Sequence, residues 1–108
     1  MAGIWAAISL RAEAHAHLQA SVPRDGTHLA AAPASVSLQF SEPARLTALW
    51  IEKAGGERQR LTPPSAKADT HVTVALPKLT PGEYLIGWRA IGADGHVVPG
   101  KVRFTLDR

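Results

Sequence analysis

Apolar residues alternate with polar ones, with a period of two, through most of the chain after residue 17. Because successive side chains of a β-strand point to opposite sides of a sheet, this period is typical of strands that bury one face. Between the alternating runs stand Pro and Gly pairs that are typical of turns. No sustained helical period follows residue 14, so the chain is expected to be all-β. The alternating runs are 35–41, 46–51, 71–76, 84–90 and 102–106.

Short strands separated by turns in this way predict a sandwich or barrel. We expect about seven strands in two packed antiparallel sheets with Greek-key topology, of the immunoglobulin-like (cupredoxin-like) type. The run 46–51 is apolar on both faces, and this indicates a central strand. Trp50 and Trp88 are predicted to be core residues on opposing strands. The polar stretch 53–70 is expected to form an edge hairpin or loop.

The amino terminus carries the only continuous apolar run, at residues 2–10. This run is too short to span a bilayer, which takes about 20 residues. An apolar run followed by a small-x-small sequence is typical of a secretory signal peptide, and Ala12-Glu13-Ala14 supplies such a cleavage site. We therefore expect residues 1–14 to be removed and residues 15–108 to form one domain in the periplasm or outside the cell.

Cleavage after Ala14 would leave His15 as the first residue. A second small-x-small match, Ala14-His15-Ala16, would expose His17 instead. A third alternative is that the apolar run is kept as a short amphipathic helix. Small exported domains often depend on disulfides for stability. If this chain is exported, its lack of cysteine means that the domain must be held together by its core or by a metal.

The sequence has no cysteine, and its one methionine is Met1. This excludes disulfides, thiolate zinc sites, iron–sulfur clusters, cysteine nucleophiles and blue-copper centres. Five histidines and nine carboxylates remain for metal or redox chemistry. The net charge is +3, and Lys and Arg are scattered along the sequence, so no nucleic-acid-binding pattern is recognised.

Asp94-Gly95-His96 is the most specific element that could carry chemistry. Its glycine can take a positive φ, which would let the two side chains converge instead of alternating across a strand. Taken alone, the tripeptide is a common turn sequence. His15 and His17 are distant in sequence, but in a sandwich the first strand and a late loop can lie at the same end. His28, in a loop, and His71, on the polar face of a strand, are not expected to bind metal.

A series of short elements covers residues 15–106 in a specific order and spacing, although each element is weak alone. The elements are His15-Ala16-His17-Leu18, Ser21-Val22-Pro23, Asp25-Gly26, Ala32-Pro33, Leu38-Gln39-Phe40-Ser41-Glu42-Pro43, Leu79-Thr80-Pro81-Gly82-Glu83-Tyr84, Trp88-Arg89-Ala90, Ala93-Asp94-Gly95-His96 and Gly100-Lys101-Val102-Arg103-Phe104. Together they resemble the CopC family of periplasmic copper-binding proteins. The resemblance also favours cleavage before His15, because mature chains of this family typically begin with a histidine.

The resemblance implies a Cu(II) site. The family's first histidine, which binds through its α-amine and its imidazole, corresponds to His15, and the aspartate and histidine of the late loop correspond to Asp94 and His96. A glutamate after Phe-Ser, near the copper in some members, corresponds to Glu42. His17 is an alternative or auxiliary ligand. Amine, imidazole and carboxylate donors also suit the tetragonal coordination that Cu(II) favours.

This sequence departs from the family pattern in the residues that would bind Cu(I). Some members carry a methionine-rich segment that binds Cu(I) at the opposite end of the barrel. This sequence has no methionine after Met1. We therefore expect one sulfur-free Cu(II) site per chain and no thioether Cu(I) site.

The function implied by the resemblance is that of a copper carrier or buffer in copper homeostasis, uptake or resistance, a binding protein rather than an enzyme. A CopD-type membrane copper transporter is the implied partner, and the chain itself is expected to be monomeric and not membrane-spanning. One alternative is a histidine-brace copper oxidase that resembles lytic polysaccharide monooxygenases, although those enzymes are longer and present a flat aromatic surface. The other is a metal-free immunoglobulin-like interaction module, in which the convergence of His15, Asp94 and His96 would be a coincidence.

Overall fold

In the computed structural model of the chain, residues 16–63, 65 and 67–107 are described. They form seven strands joined by turns, and no helix occurs among them. The prediction of an all-β fold with about seven strands is therefore confirmed. The described part of the chain thus has no helix of the length and hydrophobicity needed to cross a membrane. The strands are β1 (Leu18–Val22), β2 (Thr27–Leu29), β3 (Ser35–Lys53), β4 (Arg58–Arg60), β5 (Asp69–Ala75), β6 (Gly82–Gly92) and β7 (Val97–Leu106).

The predicted signal peptide, residues 1–14, and the predicted first mature residue, His15, lie outside the described residues.

The long strand β3 belongs to both halves of the sheet. Its first part pairs with β1 and β5, and its second part pairs with β4 and β6, all antiparallel. β7 follows antiparallel to β6, and the short β2 pairs with β7 in parallel, the one parallel pair among the described strands. All seven strands thus form one sheet, which curls so that its two halves pack as the layers of a sandwich.

The sequence predicted two separate strands, 35–41 and 46–51, where the structure has one strand of 19 residues. The pairing is irregular between Gln39 and Ala44, and Pro43 in this stretch has no N–H to donate to a neighbour. The backbone nevertheless stays extended through it. Residues 41–43 form the corner at which β3 passes from one layer to the other.

The core lies between the two layers. Phe40 in the first layer contacts Trp88 in the second layer edge to face, with ring centroids 6.4 Å apart, and Trp88 is buried as predicted. Tyr84 stacks on Phe104 with centroids 5.4 Å apart. The Tyr84 hydroxyl donates to the carbonyl of Thr80 at 2.6 Å and accepts its N–H at 3.1 Å, which ties the start of β6 to the turn before it. Each fully buried large apolar side chain contributes about 1.5–3 kcal/mol to stability.

The prediction that Trp50 lies in the core is wrong, because β3 contains a bulge. Between Leu46 and Ala48, β3 advances by two residues while its partner β6 advances by one. An extra residue in a strand moves every later side chain to the opposite face. Leu49 and Ile51 therefore face the core, and Trp50 faces outward, where it is half-buried.

The polar stretch 53–70 contains the edge strand β4, which confirms the predicted edge hairpin. In its antiparallel pairing with β3, Arg60 lies opposite Trp50 and Arg58 lies opposite Glu52. Residues directly opposite one another in a sheet share a face. Both arginines therefore lie on the outer face of the sheet, beside Trp50.

Candidate metal centre

The predicted Asp94-Gly95-His96 element forms the turn between β6 and β7. The N–H of Gly95 donates to the carbonyl of Gly92 at 3.0 Å, and the N–H of Gly92 donates to the carbonyl of His96 at 3.1 Å. Gly95 has a φ of 84°, in the left-handed region that glycine adopts without steric cost. The predicted backbone role of this glycine is confirmed, and the turn brings the two flanking side chains together.

The side chains of Asp94 and His96 are in direct contact. Oδ1 of Asp94 accepts the backbone N–H of His96 at 3.1 Å, and Oδ2 lies 3.0 Å from Nδ1 of the His96 ring. The carboxylate side chain is 26% exposed, and the histidine side chain is 67% exposed. A carboxylate bound to one ring nitrogen fixes the orientation of a metal-binding histidine. The turn itself therefore determines how the His96 ring is presented.

Ala16 lies against the same turn. It is buried, at 3% exposure. A Cβ at Gly92 would lie 3.6 Å from the Cβ of Ala16 and 3.2 Å from Oδ1 of Asp94. The missing side chain at Gly92 therefore lets the start of the described chain and the Asp94 carboxylate approach one point. Sequence reasoning missed both Ala16 and Gly92, because neither residue type carries a chemical signal.

His17 is held beside β3 by Ser41. The Ser41 hydroxyl oxygen accepts the backbone N–H of His17 at 3.0 Å and lies 3.1 Å from Nδ1 of its ring. The backbone N–H of Ser41 donates to the carbonyl of His17 at 2.8 Å. The exposed His17 ring is thus anchored at the corner of β3. Ser41 was visible in the sequence only as part of the Phe-Ser-Glu-Pro element.

Glu42 is exposed and lies at the same end of the sheet as the turn. Ala44 on β3 is paired with Gly92 on β6. Gly92 is the last residue of β6, and Glu42 lies two residues before its partner on β3, near the end of β6 where the turn begins.

His28 and His71 lie on strands and not in this turn. The sequence predicted His28 to lie in a loop, but it lies in strand β2. Its Nδ1 is 3.3 Å from Oδ1 of Asp107. His71 lies in β5, opposite Gln39. Within the part of the chain that the structure describes, neither histidine joins Asp94 and His96 in a group of three side chains that could hold a metal ion.

The described residues bring two of the predicted ligands, Asp94 and His96, into contact. Within residues 16–63, 65 and 67–107, no cluster of three or more His, Asp or Glu side chains could hold a metal ion. His15, the third of the predicted principal ligands, lies outside the described residues.

Known proteins are similar to this chain over most of its length. The sequence model named CopC domain matches residues 18–107. Copper resistance protein C of Pseudomonas syringae pv. tomato is 31% identical over 109 residues, which cover 92% of this chain and 86% of that protein. Copper transport protein CutJ of Bacillus subtilis is 34% identical over 100 residues, 88% of this chain. The matched segment spans only 18% of the length of CutJ.

A solved structure shows the same fold. The crystal structure of CopC from Methylosinus trichosporium OB3b superposes with a TM-score of 0.74 at 28% identity, and the match covers 86% of this chain and 94% of that one. The match to the CopC domain model, the sequence identity to copper resistance protein C and the shared fold all agree with the family that the ordered sequence elements resemble. The chain belongs to the CopC family.

Proposed function

We propose that this chain binds copper as Cu(II) and acts as a copper carrier or buffer in the periplasm or outside the cell. One observation carries the proposal: Ala16 is buried against the turn that bears Asp94 and His96. Because consecutive Cα atoms are about 3.8 Å apart, we propose that the residue before Ala16 supplies ligands to a metal held at that turn. The similar proteins from Pseudomonas and Bacillus are named for copper resistance and copper transport, and this supports copper as the ion.

The proposed ligands are nitrogen and oxygen donors. His15 would bind through its α-amine and its imidazole, His96 through its imidazole, and Asp94 through its carboxylate. Since Oδ2 of Asp94 lies 3.0 Å from Nδ1 of His96, Nε2 is the ring nitrogen proposed to bind the metal. Glu42 or His17 would complete the site from the corner of β3. This donor set fits the tetragonal preference of Cu(II).

The absence of sulfur supports the assignment of the oxidation state. Thiolate and thioether ligands select Cu(I), and the sequence contains no cysteine and no methionine after Met1. We therefore propose one site per chain, specific for the oxidised metal. A chain of this kind would hold copper without changing its oxidation state, which is the behaviour of a carrier rather than of an oxidase.

A membrane copper transporter of the CopD type is the proposed partner. CutJ, a copper transport protein, contains a segment similar to this chain within a much longer sequence. This arrangement supports a working association between a domain of this family and a transport protein.

The proposal is tested by the position of the α-amine. The mass of the exported protein shows whether the mature chain begins at His15. That form is expected to bind one Cu(II) per chain, with nitrogen couplings in its electron paramagnetic resonance spectrum. A form that retains residues 1–14 should bind at least about 100-fold more weakly, because its α-amine is displaced and loss of even an outer contact costs about 10–100-fold.

Equal Cu(II) affinity in the two forms would remove the α-amine from the ligand set. Failure of both forms to bind copper would overturn the proposed function.

A further inference from the structure

Two arginines of β4 meet an arginine of β6 on the outer face of the sheet, around Trp50. The Trp50 indole lies against Gly87 of β6, where a Cβ would be only 2.5 Å from two indole carbons. The guanidinium carbon of Arg58 lies 4.5 Å from the indole centroid, and that of Arg89 lies 6.0 Å from it. Arg60 lies opposite Trp50 on the edge strand. Trp50, Arg58, Arg60 and Arg89 are called the arginine face below.

The positive charge of the arginine face is only partly neutralised by the described residues. Arg58 donates to the carboxylate of Glu52 at 3.1 Å. No carboxylate in the described part of the chain is in ion-pair contact with Arg60 or Arg89. Lys101 on β7 lies in the same cross-strand row as Trp50 and adds a further exposed cation. Together with Lys101, the arginine face therefore presents excess positive charge over four neighbouring strands, roughly 15 Å across.

The arginine face is concave. It surrounds a cleft of about 400 Å³ between the edge strand β4 and the strands β3 and β6. Guanidinium groups form paired hydrogen bonds with carboxylates in a fixed plane, which a lysine ammonium group does not. A cleft of this size accommodates protruding side chains, and the guanidinium groups on its wall could pair with those that carry carboxylates.

We propose that the arginine face is a docking surface for an acidic segment of a partner protein. Carboxylates of that segment would pair with Arg60 and Arg89 beside the Trp50 indole. Tryptophan and arginine are the residue types that dominate binding energy at the centres of protein interfaces. The excess positive charge on the face favours an anionic partner, and its concave shape favours a polypeptide.

Two other anionic partners fit this surface less well. Proteins that lie on lipid bilayers place exposed aromatic rings at the headgroup level, whereas Trp50 is half-buried in a cleft. Single-stranded nucleic acids stack their bases on open aromatic rings, whereas Arg58 lies over the indole of Trp50. Both partners are therefore included as alternatives in the test.

The arginine face is close to the Asp94-Gly95-His96 turn without being part of it. Arg89 precedes Gly92 by three residues on β6, which corresponds to about 10 Å along a strand. The face can therefore be altered without touching the proposed copper ligands. Docking of an acidic segment depends on the arginine face alone and does not require the copper proposal to hold.

The test uses a fluorescein-labelled 12-residue peptide in which Glu alternates with Gly or Ser, and a matched peptide with Gln in place of Glu. Binding is followed by fluorescence anisotropy, and its location by amide and indole N–H signals in nuclear magnetic resonance spectra. We expect the Glu peptide to shift the signals of the arginine face. The double variant Arg60→Glu/Arg89→Glu should weaken binding by at least about tenfold, because it places like charges together.

The control is Arg24→Glu/Lys78→Glu, which makes the same change in net charge at exposed positions elsewhere and should weaken binding less than twofold. Thermal unfolding verifies that each variant is folded, and Arg60→Gln replaces the double variant if that one is not. Equal weakening by the control variant, equal binding of the Gln peptide, or no binding of the Glu peptide would each overturn the proposal. Signals of the arginine face that respond only to phosphatidylglycerol vesicles or to a thymidine oligonucleotide would overturn it in favour of a lipid or nucleic-acid partner.

Discussion

The Asp94-Gly95-His96 turn and the arginine face bring charged groups together in opposite ways. In the turn, a carboxylate and an imidazole two residues apart contact each other, and the carboxylate also accepts a backbone N–H. On the arginine face, the charged groups come from two strands, β4 and β6, that pair on opposite sides of β3, and they meet only when the sheet is complete. A small ion needs a fixed set of donors, which a local turn can supply, whereas an extended partner needs a surface that only strand pairing creates.

The largest effect is expected for His96→Ala. Copper affinity should fall by at least about 100-fold, since loss of an outer contact alone costs about 10–100-fold. The free energy of unfolding should change little, because the His96 side chain is 67% exposed. Isothermal titration with Cu(II) and chemical denaturation measure the two quantities.

His28→Ala is the matched control for this variant. The His28 side chain is 68% exposed and its ring lies 3.3 Å from an aspartate, so it has the same kind of surroundings away from the turn. Its replacement should leave copper affinity unchanged. Equal losses in the two variants would mean that the turn is not the metal centre, and the contrast between the turn and the rest of the surface would fail.

Gly87→Ala is expected to affect the arginine face and leave the turn intact. A Cβ at this position would lie 2.5 Å from the Trp50 indole, and overpacking of this kind typically costs about 1–3 kcal/mol. The free energy of unfolding should fall by that amount, while copper affinity should not change. A double-mutant cycle with Trp50→Ala isolates the contact, because Gly87→Ala should cost much less when the indole is absent. An equal cost in both backgrounds would show that the indole is not the obstacle.

A smaller effect is expected for Asp94→Asn. The amide oxygen can still accept the His96 N–H, so the turn should persist, but the negative charge is lost. We expect copper affinity to fall by about tenfold, less than for His96→Ala, because the amide oxygen can still serve as a ligand although its negative charge is lost. Asp25→Asn is the control, since Oδ1 of Asp25 accepts the backbone N–H of Arg103 at 2.8 Å elsewhere on the surface. Unchanged affinity in Asp94→Asn would show that the turn acts through its shape rather than its charge.

The turn could be predicted from the sequence because its geometry depends on neighbouring residues. A glycine between an acid and a histidine allows the positive φ that brings the flanking side chains together, and Gly95 adopts it. The alternation of apolar and polar residues similarly predicted the strands, since burial of one face acts on every second residue.

The outward position of Trp50 could not be predicted in the same way. It depends on a bulge between Leu46 and Ala48, and several residues in this apolar stretch could have been the extra one. The sequence also suggested that the basic residues are scattered. Strand pairing instead places Arg89 of β6 on the same face as Arg58 and Arg60 of β4. No local pattern in the sequence predicts which strands pair in this way.

The corner of β3 at residues 41–43 means that copper at the proposed site would affect the stability of the fold. The start of the described chain, the corner of β3 and the turn after β6 all meet at this end of the sandwich. A copper ion bound there would act as a removable cross-link in a chain that has no cysteine to form a permanent one. An ion that binds only the folded state stabilises that state by mass action. Such a protein would therefore be most resistant to unfolding when copper is abundant. Loss of the copper ion would loosen the end of the sandwich that had held the ion.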